Sequence, residues 1–153
     1  MNETKQYRMI IGVTDIIDFD SITENKTDLD AYKMLKEYYR LVEDLLSKAG
    51  GKVIKFLGKE VFFTFPDSHA KQSVSYLREL KSQAQTIWSE YDLICSVRTK
   101  IHIGLVELYD YNIPGQGIDV GGKPVNDLFL MPWDGPELSE EMKQFVENQG
   151  LQL

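Results

Sequence analysis

Residues 50–65, GGKVIKFLGKEVFFTF, form two apolar runs rich in β-branched and aromatic side chains, hinged at Gly58. This pattern predicts a tight β-hairpin with Gly58 at the turn and Lys59 beside it. Long helical patterns precede and follow it, so the hairpin is expected at the centre of a sheet covered by helices on one face. The polar residues at its tip are the first place to look for chemistry.

The flanking segments support a single α/β layer. Tyr7 to Thr14 is an apolar run closed by Asp15, the profile of a buried first strand, with Asp15 able to cap the turn that follows. From Thr27 or Asp28 to Lys48, Tyr32, Leu35, Tyr39, Val42 and Leu46 follow helical spacing, and Gly50 supplies the stop. Pro66-Asp67-Ser68 opens a second long helix with a buried stripe of Ala70, Val74, Leu77, Leu80, Ala84, Ile87 and Trp88, leaving Lys71, Arg78, Glu79 and Lys81 on a solvated face. Cys95 to Leu108 alternates as a strand, and His102 within it is read as structural. Tyr109 to Gly117 has the turn chemistry of a projecting hairpin or loop. Ser139-Glu140-Glu141-Met142 starts a closing helix packed through Phe145 and Val146, and Gly150 to Leu153 is expected to fray or add a short strand.

Composition narrows the function classes. A chain of 153 residues with 42% hydrophobic content accommodates one core, and residues 1–153 are read as a single domain. A net charge of -7 and a pI near 4.8 argue against nucleic-acid or anionic-membrane partners, while allowing a local basic pocket. Cys95, alone, can form neither an intramolecular disulfide nor a cysteine-rich metal cluster, which fits a reducing compartment. Met1 to Arg8 lacks a signal-peptide core, and no apolar run approaches the ~18 residues of a membrane span, so a cytoplasmic location is expected.

Several short motifs, in order, resemble those of the class III nucleotidyl cyclase catalytic domain. The hairpin resembles its Lys-x-x-Gly-Asp turn through Lys55 and Gly58, with Phe65 closing the strand; Asp15, Ile16 and Phe19 match its Asp-Ile-x-x-Phe strand end. Residues 101–106 resemble its Ile-His-x-Gly-x-Val strand, and Asp119, Val125 and Asn126 match its Asp-x-x-Gly-x-x-Val-Asn junction, with Gly122 or Gly121 as the glycine. The resemblance spans roughly Met9 to Val146. It implies a ferredoxin-like, mostly antiparallel sheet with helices packed on one face. It also implies a head-to-tail homodimer, or pairing with another cyclase domain, with the loop at 109–117 reaching across to the second subunit.

The resemblance assigns roles residue by residue. Asp15 would bind the metal ions, Mg²⁺ or Mn²⁺, that hold a triphosphate. Phe19, Lys55 and Asp119 would bind the substrate, with Lys55 and Asp119 reading the purine. Lys can donate to adenine N1 and Asp can accept from the exocyclic amine, so the pair favours adenine over guanine; otherwise it is a strand-edge ion pair. Asn126, the catalytic residue that the resemblance carries over, would touch the ribose or position the substrate.

Three positions depart from the pattern. Asp18 stands where the family has Gly, which makes the phosphate loop less permissive. Lys59 replaces the second metal-binding Asp, and Leu130 replaces the Arg that stabilises the pentavalent phosphate. Unit charges ~4 Å apart at an effective dielectric of ~20 interact by about 4 kcal/mol, so a cation in place of an anion should defeat two-metal binding. Strand alternation would turn Glu60 to the opposite face, so that its rescue would need a bulge. Loss of the Arg would remove on the order of 10³-fold of rate. Lys59 is expected to pair with Asp15 or to contact phosphate. Three readings stay open: a catalytically degenerate nucleotide-binding or dimerising module, a divergent adenylate cyclase active alone or with a complete partner, and a ferredoxin-like protein with fortuitous motif matches.

Overall fold

A computed structural model describes residues 5–114 and 116–151. Five strands form one antiparallel sheet in the order β2-β3-β1-β4-β5: β1 Lys5–Ile16, β2 Lys52–Leu57, β3 Glu60–Pro66, β4 Val97–Ile113 and β5 Gln116–Gly121. The helices are α1 Phe19–Ile22, α2 Asp28–Ala49, α3 Ala70–Glu90, α4 Lys123–Leu130 and α5 Glu140–Asn148. The expected hairpin is present and turns at Gly58, whose φ of 68° is left-handed. It is not the centre of the sheet, however. β2 is an edge strand, and the apolar run of β1 takes the middle, paired with β3 on one side and β4 on the other.

Alternation along β1 divides the core. Ile10 and Ile16 face α2, α3 and α5 with Phe63, Phe65, Tyr76, Leu80, Trp88 and Met142. Ile11 and Val13 face the other way, onto Phe62, Val106, Val120 and Leu128 of α4. The three longer helices therefore share one face, as expected, and the short α4 adds cover to the second.

Local signals explain the helix limits. The Thr27 side chain accepts from the Asp30 amide, and Gly50 at φ 86° closes α2. The Ser139 side chain accepts from the Met142 amide to start α5. The buried stripe of α2 is rotated from the expected one: it runs through Met34, Tyr38, Val42, Leu45 and Leu46, while Tyr32 is exposed. Tyr39 lies between core and surface because it serves the hairpin. Its ring lies 4.2 Å from that of Phe56, and its hydroxyl donates to the Gly58 carbonyl at 2.6 Å. In α3 the stripe includes Tyr76, which the spacing argument omitted.

The Tyr109–Gly117 stretch continues β4 to Ile113 and returns as β5, giving a hairpin arm with exposed Tyr111, Ile113 and Ile118. Gly115 of its expected turn lies outside the described residues, as do Gln152 and Leu153 of the tail. Among the described residues, no helix is long and apolar enough to cross a membrane.

Candidate functional site

The two edges of the sheet carry the first pair of interest. Lys55 on β2 and Asp119 on β5 are 64 residues apart in sequence, yet Lys55 Nζ lies 2.7 Å from Asp119 Oδ2. A register shift between Val53 and Lys55 sets the β2 side chain. On β5 the other carboxylate oxygen, Oδ1, accepts from the Val120 amide at 2.8 Å, which fixes the carboxylate. The lysine is 48% exposed and the aspartate 16%, so a ligand can reach the ammonium without unfolding anything.

The junction after β5 identifies its functional glycine. Gly122, at φ 109°, is the residue that needs a conformation disfavoured for side chains, and it starts α4. Gly121 is held for another reason: a Cβ there would come within 2.6 Å of the Tyr109 ring. Asn126 follows on α4 and is exposed, with its backbone amide donating to the Gly122 carbonyl. Leu130 is 81% exposed at the last position of α4, and Pro132 ends the helix as expected.

At the end of β1, three strands meet in one row. Asp15 is opposite Glu60 of β3 and opposite Arg98 of β4. Residues directly opposed in antiparallel strands share a face, so all three side chains point the same way. This corrects the expectation for Glu60, which faces Asp15 without a bulge, because the strand ladder begins at Glu60 and leaves Lys59 in the turn. It also corrects the first of the two expectations for Lys59, a pairing with Asp15. Asp15 is 1% exposed, and its Oδ2 accepts from Arg98 Nε at 2.7 Å, so the aspartate's partner is Arg98.

Two residues along β4, Lys100 is 3% exposed and donates to the carbonyls of Phe129 at 3.1 Å and Met131 at 2.7 Å. Burial lowers its pKa from the ordinary lysine value, while Glu60 and Asp15 pull the other way. Trp133 covers both cations, with Arg98 Cζ 4.7 Å and Lys100 Nζ 4.3 Å from the ring centroid. Arg98, Lys100 and Trp133 were missed by the sequence reading. The signal was present: Arg98, Lys100 and His102 recur at every second position of an alternating strand, which places three basic side chains on one face.

Asp18 adopts φ 55° and ψ 30°, so it takes the left-handed conformation natural to Gly at some cost in strain. Phe19 is 8% exposed and belongs to the core beneath α2 and α3, which leaves little of its ring for a ligand. His102 is structural, as expected: its Nδ1 lies 2.6 Å from Ser139 Oγ at the start of α5, and burial lowers its pKa.

These residues do not fit a two-metal centre. Among the described residues there is no cluster of three or more His, Cys, Asp or Glu side chains placed to hold a metal. The one deeply buried carboxylate in the row is engaged by a guanidinium.

No protein-family model matches the chain, and no curated protein sequence does. Solved structures do match. The adenylyl cyclase CyaB from P. aeruginosa has a TM-score of 0.85 at 16% identity, over 96% of this chain and 84% of that one. The catalytic core of a rhodopsin-guanylyl cyclase with converted specificity, in complex with ATPalphaS, has a TM-score of 0.84 at 18% identity, over 97% of this chain and 86% of that one. The guanylate cyclase domain of RhGC from Catenaria anguillulae, in complex with GTP, has a TM-score of 0.82 at 16% identity, over 94% of this chain and 84% of that one. Likenesses at this level of identity establish architecture, and the chain carries the fold of the class III nucleotidyl cyclase catalytic domain.

Proposed function

We propose that this chain is a single-domain, catalytically degenerate cyclase homologue that binds a purine nucleotide, adenine in preference to guanine, and works as a head-to-tail homodimer or beside another cyclase domain. The observation that carries the proposal is the meeting of Lys55 and Asp119 at the two sheet edges. A donor and an acceptor side by side complement the N1 and exocyclic amine of adenine. Structures with this fold were solved with ATPalphaS and with GTP, so the fold alone does not choose the base and the pair must. Asn126, exposed on α4, is the residue proposed to touch the ribose. Turnover is proposed to be absent because Lys59 and Leu130 stand where a carboxylate and an arginine are needed.

A second reading, a divergent adenylate cyclase, is favoured by Glu60. Its position opposite Asp15 offers a second carboxylate on the correct face.

The test has two arms. Calorimetry with ATP and GTP is expected to give binding that prefers ATP by about tenfold or more, a difference of ~1.4 kcal/mol, and to lose that preference in Asp119→Asn. Incubation with ATP and Mn²⁺, read by mass spectrometry, is expected to yield no cyclic AMP. Cyclic AMP from the wild type would select the second reading; no binding of either nucleotide would reject both.

A further inference from the structure

The row Glu60–Asp15–Arg98, together with Lys100, contains two carboxylates and two cations on one face of three adjacent strands. Its formal charge is zero with no ion added. Arg98 holds Asp15 Oδ2 at 2.7 Å, and Trp133 lies against both cations. Asp15 Oδ1, buried, accepts no hydrogen bond from the described residues, so the carboxylate retains one open oxygen. A divalent ion bound there would add two positive charges beside a guanidinium and a buried ammonium. The ammonium cannot swing away freely, because it terminates α4 through two carbonyls.

We infer that Arg98 is the resident cation of the Asp15 centre, and that Asp15, Glu60, Arg98 and Lys100 form a self-neutralised cluster that excludes a divalent metal. The cluster rests on strand register and side-chain geometry alone, so it stands whether or not the chain binds nucleotide. It also changes which substitution would restore a metal site. Lys59 sits in the turn outside the row, and replacing it leaves Arg98 on Asp15. Lys59 and Arg98 must both be replaced before carboxylates can converge on an ion at Asp15, while Lys100 stays tied to the α4 carbonyls.

The test uses Mn²⁺ alone as the probe, with calorimetry, electron paramagnetic resonance of the bound ion and thermal unfolding as readouts. It compares the wild type, Lys59→Asp, Arg98→Thr and the double variant Lys59→Asp/Arg98→Thr. Wild type and Lys59→Asp are expected to bind no Mn²⁺ at millimolar concentration and to melt identically in Mn²⁺ and in EDTA. The double variant is expected to bind Mn²⁺ at least about tenfold more tightly than either single variant. Arg98→Lys, which keeps the charge, covers the case in which loss of Arg98 prevents folding; it is expected to exclude Mn²⁺ as the wild type does. A Mn²⁺-dependent rise in wild-type melting temperature would overturn the inference. So would Lys59→Asp binding the ion as tightly as the double variant, Mn²⁺ binding by Arg98→Lys, or a folded double variant that still refuses it.

Discussion

Lys100 Nζ lies 2.7 Å from the carbonyl of Met131, so a nearly buried ammonium on the sheet closes the C-terminal end of a helix packed above it. The last carbonyls of a helix have no partners within it, and a cation there both donates to them and opposes the helix dipole. Replacing Lys100 by Met removes both bonds at once. The expected cost is about 1–3 kcal/mol, with hydrogen exchange quickening first at Leu128 to Met131. Exchange unchanged at those amides would show that the lysine is incidental to α4.

His102 makes stability depend on pH. Burial lowers its folded pKa below the ordinary 6.5, with Glu141 and Asp127 pulling it up and Lys123 adding to the decrease. A group with a depressed folded pKa contributes stability that is present above the unfolded value and lost as pH falls below it. The protein is therefore expected to unfold at progressively lower urea from about pH 6.5 downward. His102→Asn, which keeps a polar group near Ser139, should flatten that slope. A variant as pH-sensitive as the wild type would assign the effect to other groups.

Gly12 sits in the central strand directly opposite Phe63, and a Cβ at Gly12 would lie 2.3 Å from Phe63 Cζ. The ring occupies the space that the glycine leaves open. Gly12→Ala should cost about 1–3 kcal/mol by overpacking. Gly12→Ala/Phe63→Leu should recover part of that loss, and strictly additive effects in the double-variant cycle would count against direct contact.

Asp18 invites the opposite change. Its left-handed backbone carries no compensating side-chain cap bond. Asp18→Gly is expected to be neutral or to stabilise by up to about 1 kcal/mol, read as a higher urea midpoint at unchanged slope. A clear loss of stability would mean that the carboxylate makes a contribution beyond its backbone geometry.

The Lys55–Asp119 pair separates stability from binding. Partly exposed ion pairs contribute about 0–1 kcal/mol, so Lys55→Met should barely move the unfolding midpoint. The same change should weaken ATP binding by about tenfold or more if the ammonium donates to the base. Equal ATP affinity in wild type and variant would remove Lys55 from the site.

Local features were legible in the sequence. The turn at Gly58, the Thr27 and Ser139 caps and the Pro132 stop each depend on a few adjacent residues. Pairing between distant segments was not. The hairpin looked central because it is the strongest strand signal, but β1 gained the middle by pairing with β4, which no local pattern reveals. The partner of Asp15 was hidden for the same reason: Arg98 is 83 residues away, and only the register of β1 on β4 sets them opposite. Glu60 shows how one residue of register decides a face. Counting alternation from Lys59 turned Glu60 away, whereas the ladder starts at Glu60 itself. Phe19 was legible as a motif match but not as a core residue, because its burial depends on α2 and α3 arriving above it.

The central place of β1 also bears on how the chain reaches this structure. Its apolar run at 9–14 gains one neighbour only when residues 60–66 are available, and the other only when residues 97–108 are. Contacts of such long sequence separation make folding slow, and they leave an unpaired, sticky strand in the partly folded chain. The segment that anchors the finished sheet is therefore the one most exposed to aggregation before the sheet closes around it.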